Sequence, residues 1–152
     1  MSHEDLRSDI EFALSELDRE LVSTGPLFAL VERGELDTIH TMAAAALLHS
    51  AYNAIEAIFA MIQKHMDGRL LESTHWHREL LDAMTLDTAN RRAVISQECC
   101  DLLEDYLAFR HRFRHGYGWQ LDPAKVGLKL KMLPSVLDRL RREIECFLKT
   151  LK

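Results

Sequence analysis

Residues 42–62 read MAAAALLHSAYNAIEAIFAMI, an apolar stretch within the longest predicted helix of the chain. The stretch is long and apolar enough to suggest a membrane span. However, His49, Ser50, Asn53 and Glu56 lie near its middle, where a charge costs about 3 kcal/mol in a bilayer. We therefore expect a buried helix of a soluble protein, and no membrane partner.

The remaining apolar residues recur at three- and four-residue steps, which is the spacing of amphipathic helices, and no strand-like alternation or internal repeat is visible. The predicted helices are about Glu4–Ser23, ended by Gly25 and Pro26; about Leu36–Met66, capped by Asp37 or Thr38; a short helix around Trp76–Met84; one from the Ser96 cap to near Gly116; and about Pro134–Leu151. The predicted fold class is therefore all-α, an up-and-down bundle of four to five helices.

Length and composition limit the kind of protein. The chain has 152 residues, enough for a single domain spanning residues 1–152. Its hydrophobic content of 47% and charged content of 28% exclude a disordered chain, and its formal net charge of −5 means that any nucleic-acid site has to be local. The start, MSHEDLRSDI, lacks the features of an export signal, and Cys99, Cys100 and Cys146 are expected to be reduced core thiols. We expect a cytoplasmic protein.

Metal and cofactor motifs are poorly represented. Glu72 and His75 form one Glu-x-x-His match, whereas a dinuclear site in a helical bundle needs two such motifs and further glutamates. The cysteine spacing does not fit a zinc site, and no glycine-rich phosphate loop is present. We predict no metal and no cofactor.

A local basic patch stands out in this acidic chain. Residues 110–115 read RHRFRH, with three arginines and two histidines in six positions. Such a patch can hold phosphate through charge-assisted hydrogen bonds. It is also what a solvated helix end looks like, because cations near a helix C-terminus are favoured by about 0.3 to 1 kcal/mol each.

Arg110 and His115 cannot act together on one straight helix. They are five positions apart, so at about 100° per residue they point about 140° from each other. Two arrangements would bring them together. Either His115 bends inward where the helix frays before Gly116, or two copies of the chain combine these residues across a twofold axis.

The order Arg110, His111, three further residues, His115, one residue, Tyr117 resembles the signature of the HEPN superfamily. With the trailing tyrosine it is most similar to HepT-like toxins, which are paired with a minimal nucleotidyltransferase antitoxin. The sequence YNAIE at 52–56 is similar to the corresponding helix of such proteins. His111 stands where an asparagine is common, and whether it orients, titrates or packs is left open.

The resemblance implies a homodimer that cleaves RNA without a metal. His115 would act as general base toward a ribose 2′-hydroxyl, and the same residue or its dimer mate as general acid toward the leaving oxygen. Arg110 would neutralise the charge that develops on the phosphate, with support from His111. Arg112 and Arg114 are predicted to contact RNA phosphates, although either could be a rim residue of the dimer.

The resemblance also implies that the nucleotidyltransferase antitoxin silences the toxin by attaching AMP to Tyr117. Gly116 and Gly118 would keep this tyrosine accessible, and a bulky anionic adduct would block the site. The alternative is that Tyr117 is an ordinary half-exposed turn aromatic.

A polar line on the long helix has two readings. His49, Asn53 and Glu56 fall at steps of four and three, so they lie on one narrow strip. Asn53 and Glu56 would support catalysis if Glu56 pairs with Arg110 and fixes its fork. Alternatively the strip is a polar interface without a catalytic role.

The main rival to a ribonuclease is a non-catalytic HEPN module. Its task would be to bind a nucleotidyltransferase or another partner, with the Arg-His cluster serving only as a docking surface.

Overall fold

The computed structural model describes residues 1–69, 71–116 and 120–152. Within these ranges every regular element is helical, which confirms the all-α class. The elements are α1 (His3–Ser23), α2 (Gly25–Arg33), α3 (Thr38–Ile62) with a π-helical turn at Gln63–Asp67, α4 (Trp76–Ala83), α5 (Gln97–His115) and α6 (Pro123–Lys149).

α3 is the central helix and packs against each of the other five helices. Leu48, Ile55, Ile58, Phe59 and Ile62 on this helix are almost completely buried. The continuous run Thr38–Asp67 is long and apolar enough to cross a membrane by length and composition, but 56% of its most apolar window is buried inside the fold. Its side chains thus form the core of a helical domain, as the polar residues near its middle predicted.

Side-chain caps fix two helix starts that were predicted from the sequence. The Asp37 carboxylate accepts a hydrogen bond from the backbone N–H of His40 at 2.8 Å, and the Ser96 hydroxyl accepts one from Cys99 at 3.1 Å. Each bond satisfies an amide that the first helical turn leaves unpaired. α3 and α5, the two helices that carry the polar line and the basic patch, therefore begin at defined positions.

The described residues form six helices where four to five were predicted, because Pro26 was read only as a helix end, and a second proline, Pro134, was read as a helix start. Pro26 does not only end α1: it lies in the first turn of α2, where its missing N–H costs nothing. Pro134 does not start the last helix, which begins eleven residues earlier at Pro123 and runs through Pro134. Burial of Val126, Leu130 and Leu133 on the additional turns compensates for the lost backbone hydrogen bond.

A buried arginine fixes the connection between α4 and α5. The Arg91 side chain is fully buried and pairs with Asp67 of the π-helical turn at 3.0 Å. It also donates to the backbone carbonyl oxygens of Leu86 at 3.0 Å and Ala83 at 3.2 Å. This arginine ties the loop to the end of α3, and the sequence pattern did not single it out.

The three cysteines are free thiols, but only two lie in the core. Burial raises the pKa of the Cys99 thiol to about 12 and that of Cys100 to about 11, so both stay protonated at neutral pH. Cys146 is exposed on α6, so the expectation that all three are core residues was wrong for this one.

Candidate active site

Arg110 extends from α5 onto the polar line of α3. Its Nε donates a hydrogen bond of 2.6 Å to the side-chain carbonyl oxygen of Asn53. The Arg110 side chain is only 11% exposed, so its guanidinium lies against the fold rather than in solvent. The basic patch therefore does not form a uniformly solvated helix end, because its first arginine is held in place.

Glu56 is a buried carboxylate with two basic neighbours, an arginine and a histidine. The residue is 7% exposed, and its Oε1 lies 3.9 Å from Nη2 of Arg110, an ion-pair distance. Its other oxygen, Oε2, accepts a shorter contact of 2.7 Å from Nδ1 of His77 on α4. Glu56 thus contacts Arg110 as the sequence suggested, but it shares its charge with a histidine.

Sequence reasoning did not assign His77 to the site. Its ring packs against that of Trp76, with centroids 3.6 Å apart and the two planes tilted by 31°. Periodicity within α4 could have placed His77 on an inner face, but only the tertiary packing of α4 on α3 brings it to Glu56.

The orientation of Asn53 determines the state of His49. Because Asn53 accepts from Arg110 through its oxygen, its amide nitrogen faces Nε2 of His49 at 3.1 Å. An amide nitrogen can only donate, so Nε2 of His49 accepts the hydrogen bond. His49 is therefore neutral with its proton on Nδ1. This Nδ1 is buried and has no hydrogen-bond partner among the described residues. Burial and the nearby charges of Arg110 and Arg114 lower the pKa of His49, in agreement with this state.

His115 lies apart from this cluster. α5 stays helical through His115, so the fraying that could turn this side chain inward does not occur. The His115 ring packs against His111 with centroids 4.7 Å apart, and both side chains are exposed. Within the described ranges of one chain, no hydrogen bond links His115 to Arg110.

The remaining predicted site residues fall in two groups. Arg112 and Arg114 are exposed on the last turn of α5, and Arg112 lines a groove of about 580 Å³ between α5 and α6 together with Phe113, Lys125 and Lys129. Tyr117 lies outside the described residues, so the structure gives no account of it.

One cluster of potential metal ligands lies elsewhere. Ligand atoms of Asp82, Cys100 and Glu104 come within 4.8 Å of one another. Arg78 already forms ion pairs with both carboxylates, at 3.2 Å from Asp82. The arginine supplies the positive charge that a metal ion would otherwise provide.

The neutral state of His49 predicts how stability depends on pH. Because its pKa is lower in the folded chain than its usual value of 6.5, the unfolded chain binds the proton more readily. The contribution of His49 to stability is therefore present above pH 6.5 and is lost as the pH falls below it. Urea unfolding of the wild type and of His49→Gln between pH 8 and 5.5 should show the steeper loss in the wild type. Parallel pH profiles would show that His49 is not held neutral.

The comparisons with known proteins bear on the same residues. The family model described as HepT-like protein matches residues 43–151. Searches of the curated proteins and of the solved structures give no match. The matched range runs from α3 to the end of α6 and includes Asn53, Glu56, His77 and Arg110. Since this range is well over half of the sequence, the chain belongs to the family of HepT-like proteins.

Proposed function

We propose that this chain is the toxin of a toxin–antitoxin pair, a homodimeric endoribonuclease that cleaves RNA without a metal. The observation that carries the proposal is the arrangement of Arg110, whose Nε is held at 2.6 Å by Asn53 beside the buried Glu56. The same helix ends at His115, so the arginine and histidine of the HEPN signature flank one exposed basic turn. Family membership supports the reading of these residues as a catalytic pair.

The proposed reaction is attack of the ribose 2′-hydroxyl on the adjacent phosphorus. Neutral His115 takes the hydroxyl proton while the 2′-oxygen bonds to phosphorus, and the bond from phosphorus to the 5′-oxygen breaks. The departing 5′-oxygen receives a proton from the His115 of either subunit. The products are a 2′,3′-cyclic phosphate and a 5′-hydroxyl, so neither water nor a metal is consumed in the step.

Arg110 stabilises the charge that develops on the phosphate oxygens. Its Nε and one terminal nitrogen face Asn53 and Glu56, and these contacts restrict the rotamers of a long, flexible side chain. A guanidinium held in this way loses little entropy when it binds phosphate. Asn53 and Glu56 therefore act as positioning residues, and Arg112 and Arg114 extend the cationic surface along the RNA.

Dimerisation is proposed because one chain keeps its arginine and histidine apart, and because α3 offers a suitable surface. We define the uncharged α3 face as the exposed residues Ile39, Met42, Ala43, Ala46 and Ala57. Ile39 and Met42 are 75% and 47% exposed, and the face is continuous with Asn53, the partner of Arg110. A second copy on this face would bring two basic turns toward one groove.

A second candidate function is favoured by the low exposure of Arg110. At 11% exposure and beside a carboxylate, this guanidinium already has a structural role. The chain would then be a helical module that binds a nucleotidyltransferase or another protein without cutting RNA.

Cleavage of RNA in EDTA separates the two candidates. We expect the wild type to produce cyclic-phosphate ends, His115→Ala to lower the rate by about 10²- to 10⁴-fold through loss of the base, and Arg110→Ala by about 10²- to 10³-fold. Ends are identified by mass spectrometry, and a DNA oligonucleotide should stay intact.

Arg142→Ala and His75→Ala are matched controls, because both side chains are exposed and lie outside the proposed site. They should cleave like the wild type. Equal cleavage by all variants would contradict the catalytic roles, and an inactive wild-type dimer would favour the binding module.

The uncharged α3 face is tested by placing a charge at its centre. Ala46→Arg should weaken the dimer by about tenfold or more, since two like charges would meet across a twofold axis. Sedimentation velocity measures the dimer, and cleavage should fall in parallel. Ala89→Arg, at an exposed loop alanine, is the matched control. A stable Ala46→Arg dimer would remove α3 from the interface.

The antitoxin is proposed to be a minimal nucleotidyltransferase that transfers AMP from ATP to the Tyr117 hydroxyl: the tyrosine oxygen bonds to the α-phosphorus, pyrophosphate leaves and the hydroxyl proton is released. The proposal rests on the family signature, in which this tyrosine follows the basic turn. Co-expression with the nucleotidyltransferase should add the mass of one or more AMP groups to the Tyr117 peptide and abolish cleavage. Tyr117→Phe should stay unmodified and active. An unmodified wild-type peptide would contradict the assignment.

A further inference from the structure

We propose that His77 is a positioning residue of the site, and that its protonation sets how much of the Arg110 charge is available to an RNA phosphate. The inference rests on the proposed function, because it concerns binding of RNA at that site. It adds a residue from a third helix, α4, to a site otherwise made by α3 and α5.

Two basic side chains, His77 and Arg110, compete for the carboxylate of Glu56. His77 Nδ1 lies 2.7 Å from Oε2 of Glu56, whereas Arg110 Nη2 lies 3.9 Å from Oε1. The closer contact belongs to the group whose charge can change between pH 5 and 8. Arg110 keeps its charge throughout this range.

The charge count shows the consequence. With neutral His77, Arg110 and Glu56 cancel, so the cluster offers no net charge to a phosphate. With protonated His77, the imidazolium pairs with the carboxylate at the shorter distance, so Glu56 no longer offsets the Arg110 charge. The Glu56 side chain is 9% exposed and that of Arg110 is 11% exposed, so water screens this change less than at the surface.

The other carboxylates of α4 and its neighbour α5 that have a side-chain partner are directed away from His77: Glu79 accepts a hydrogen bond from the Ser73 hydroxyl at 2.7 Å. From α3 the group facing His77 is Glu56, and from α5 it is Arg110 through that carboxylate. Glu104 of α5 and Asp82 of α4 pair with Arg78. A change in the charge of His77 therefore acts mainly on the ion pair between Glu56 and Arg110.

Trp76 restrains the imidazole. The two rings pack against each other with centroids 3.6 Å apart and planes tilted by 31°, and the His77 side chain is 25% exposed. The ring can exchange a proton with solvent, but its Nδ1 stays directed at Glu56. A residue that adjusts the charge of a neighbouring ion pair needs both properties, a fixed ring orientation and contact with solvent.

The test measures binding rather than cleavage. The probe is a fluorescently labelled 2′-O-methyl RNA, which lacks the attacking hydroxyl, and anisotropy is recorded at pH 5.5 and 8.0 at constant ionic strength. His77→Gln keeps an N–H donor for Glu56 but cannot become charged. We expect the wild type and His77→Gln to bind equally at pH 8.0, and the wild type to bind about three- to tenfold more tightly at pH 5.5.

The matched control is His75→Gln, an exposed histidine of the adjoining turn, which should follow the wild type at both pH values. Repeating the comparison in a Glu56→Gln background tests whether His77 affects RNA binding through the Glu56 carboxylate. If His77 acts through the carboxylate, the advantage at pH 5.5 should fall below about twofold in this background. An advantage that persists there means that His77 contacts RNA directly, which overturns the positioning role.

A loss of affinity that is equal at both pH values would identify His77 as merely structural and overturn the inference. If His77→Gln does not fold, NMR titration of the wild-type His77 ring gives the answer, since bound RNA must then move its titration midpoint to higher pH. An unmoved midpoint overturns the inference. Absence of RNA binding at both pH values overturns it together with the proposed function, whereas pH-independent binding overturns the inference alone.

Discussion

Burial of one carboxylate governs the geometry of this chain. Between Thr38 and Ile62, α3 has a single carboxylate and neither lysine nor arginine, and that carboxylate, Glu56, belongs to a residue that is 7% exposed. A charge in such a place is costly unless it is paired and hydrogen-bonded. The pairing groups come from α4 and α5, so these helices must meet α3 at the level of Glu56. The relative positions of α3, α4 and α5 are therefore coupled to the burial of the Glu56 carboxylate.

The same constraint explains why the hydrogen bonds along the polar line run in one donor-to-acceptor direction. Arg110 donates to Asn53, Asn53 donates to His49, and the series ends at Nδ1 of His49, which has no hydrogen-bond partner within residues 1–69, 71–116 and 120–152. Each hydrogen bond fixes the orientation of the next group, so the side-chain amide has one possible orientation. A lysine at position 110 could not reproduce the arrangement, because an ammonium has no second nitrogen to span Asn53 and Glu56. α5 thus carries a rigidly held arginine, Arg110, and a solvent-exposed basic turn at its end.

The sequence was sufficient for most of the fold and for half of the site. The caps at Asp37 and Ser96, the core character of α3 and the contact between Glu56 and Arg110 follow from local chemistry and helical periodicity. α2 and the first turns of α6 were missed, because proline was read as a break when its position in the first turn makes it harmless.

The contributions of His77 and Arg91 were missed for another reason. His77 meets Glu56 across 21 residues and Arg91 meets Asp67 across 24, so each pair depends on tertiary packing that periodicity within one helix does not encode. Cys146 was expected in the core from its residue type, although at about 100° per residue it lies off the stripe formed by Leu140, Ile144 and Phe147. The separation of His115 from Arg110, by contrast, follows from helix geometry alone.

The contact between Asn53 and Arg110 joins residues 57 positions apart in the chain. A ribosome has to release all of α5 before the guanidinium can reach the amide, and closure of so long a segment is slow compared with formation of a helix. An incompletely synthesised chain therefore lacks the assembled site, however well its first three helices have formed. The assembled cluster of Arg110, Asn53 and Glu56 is therefore a property of the nearly complete chain.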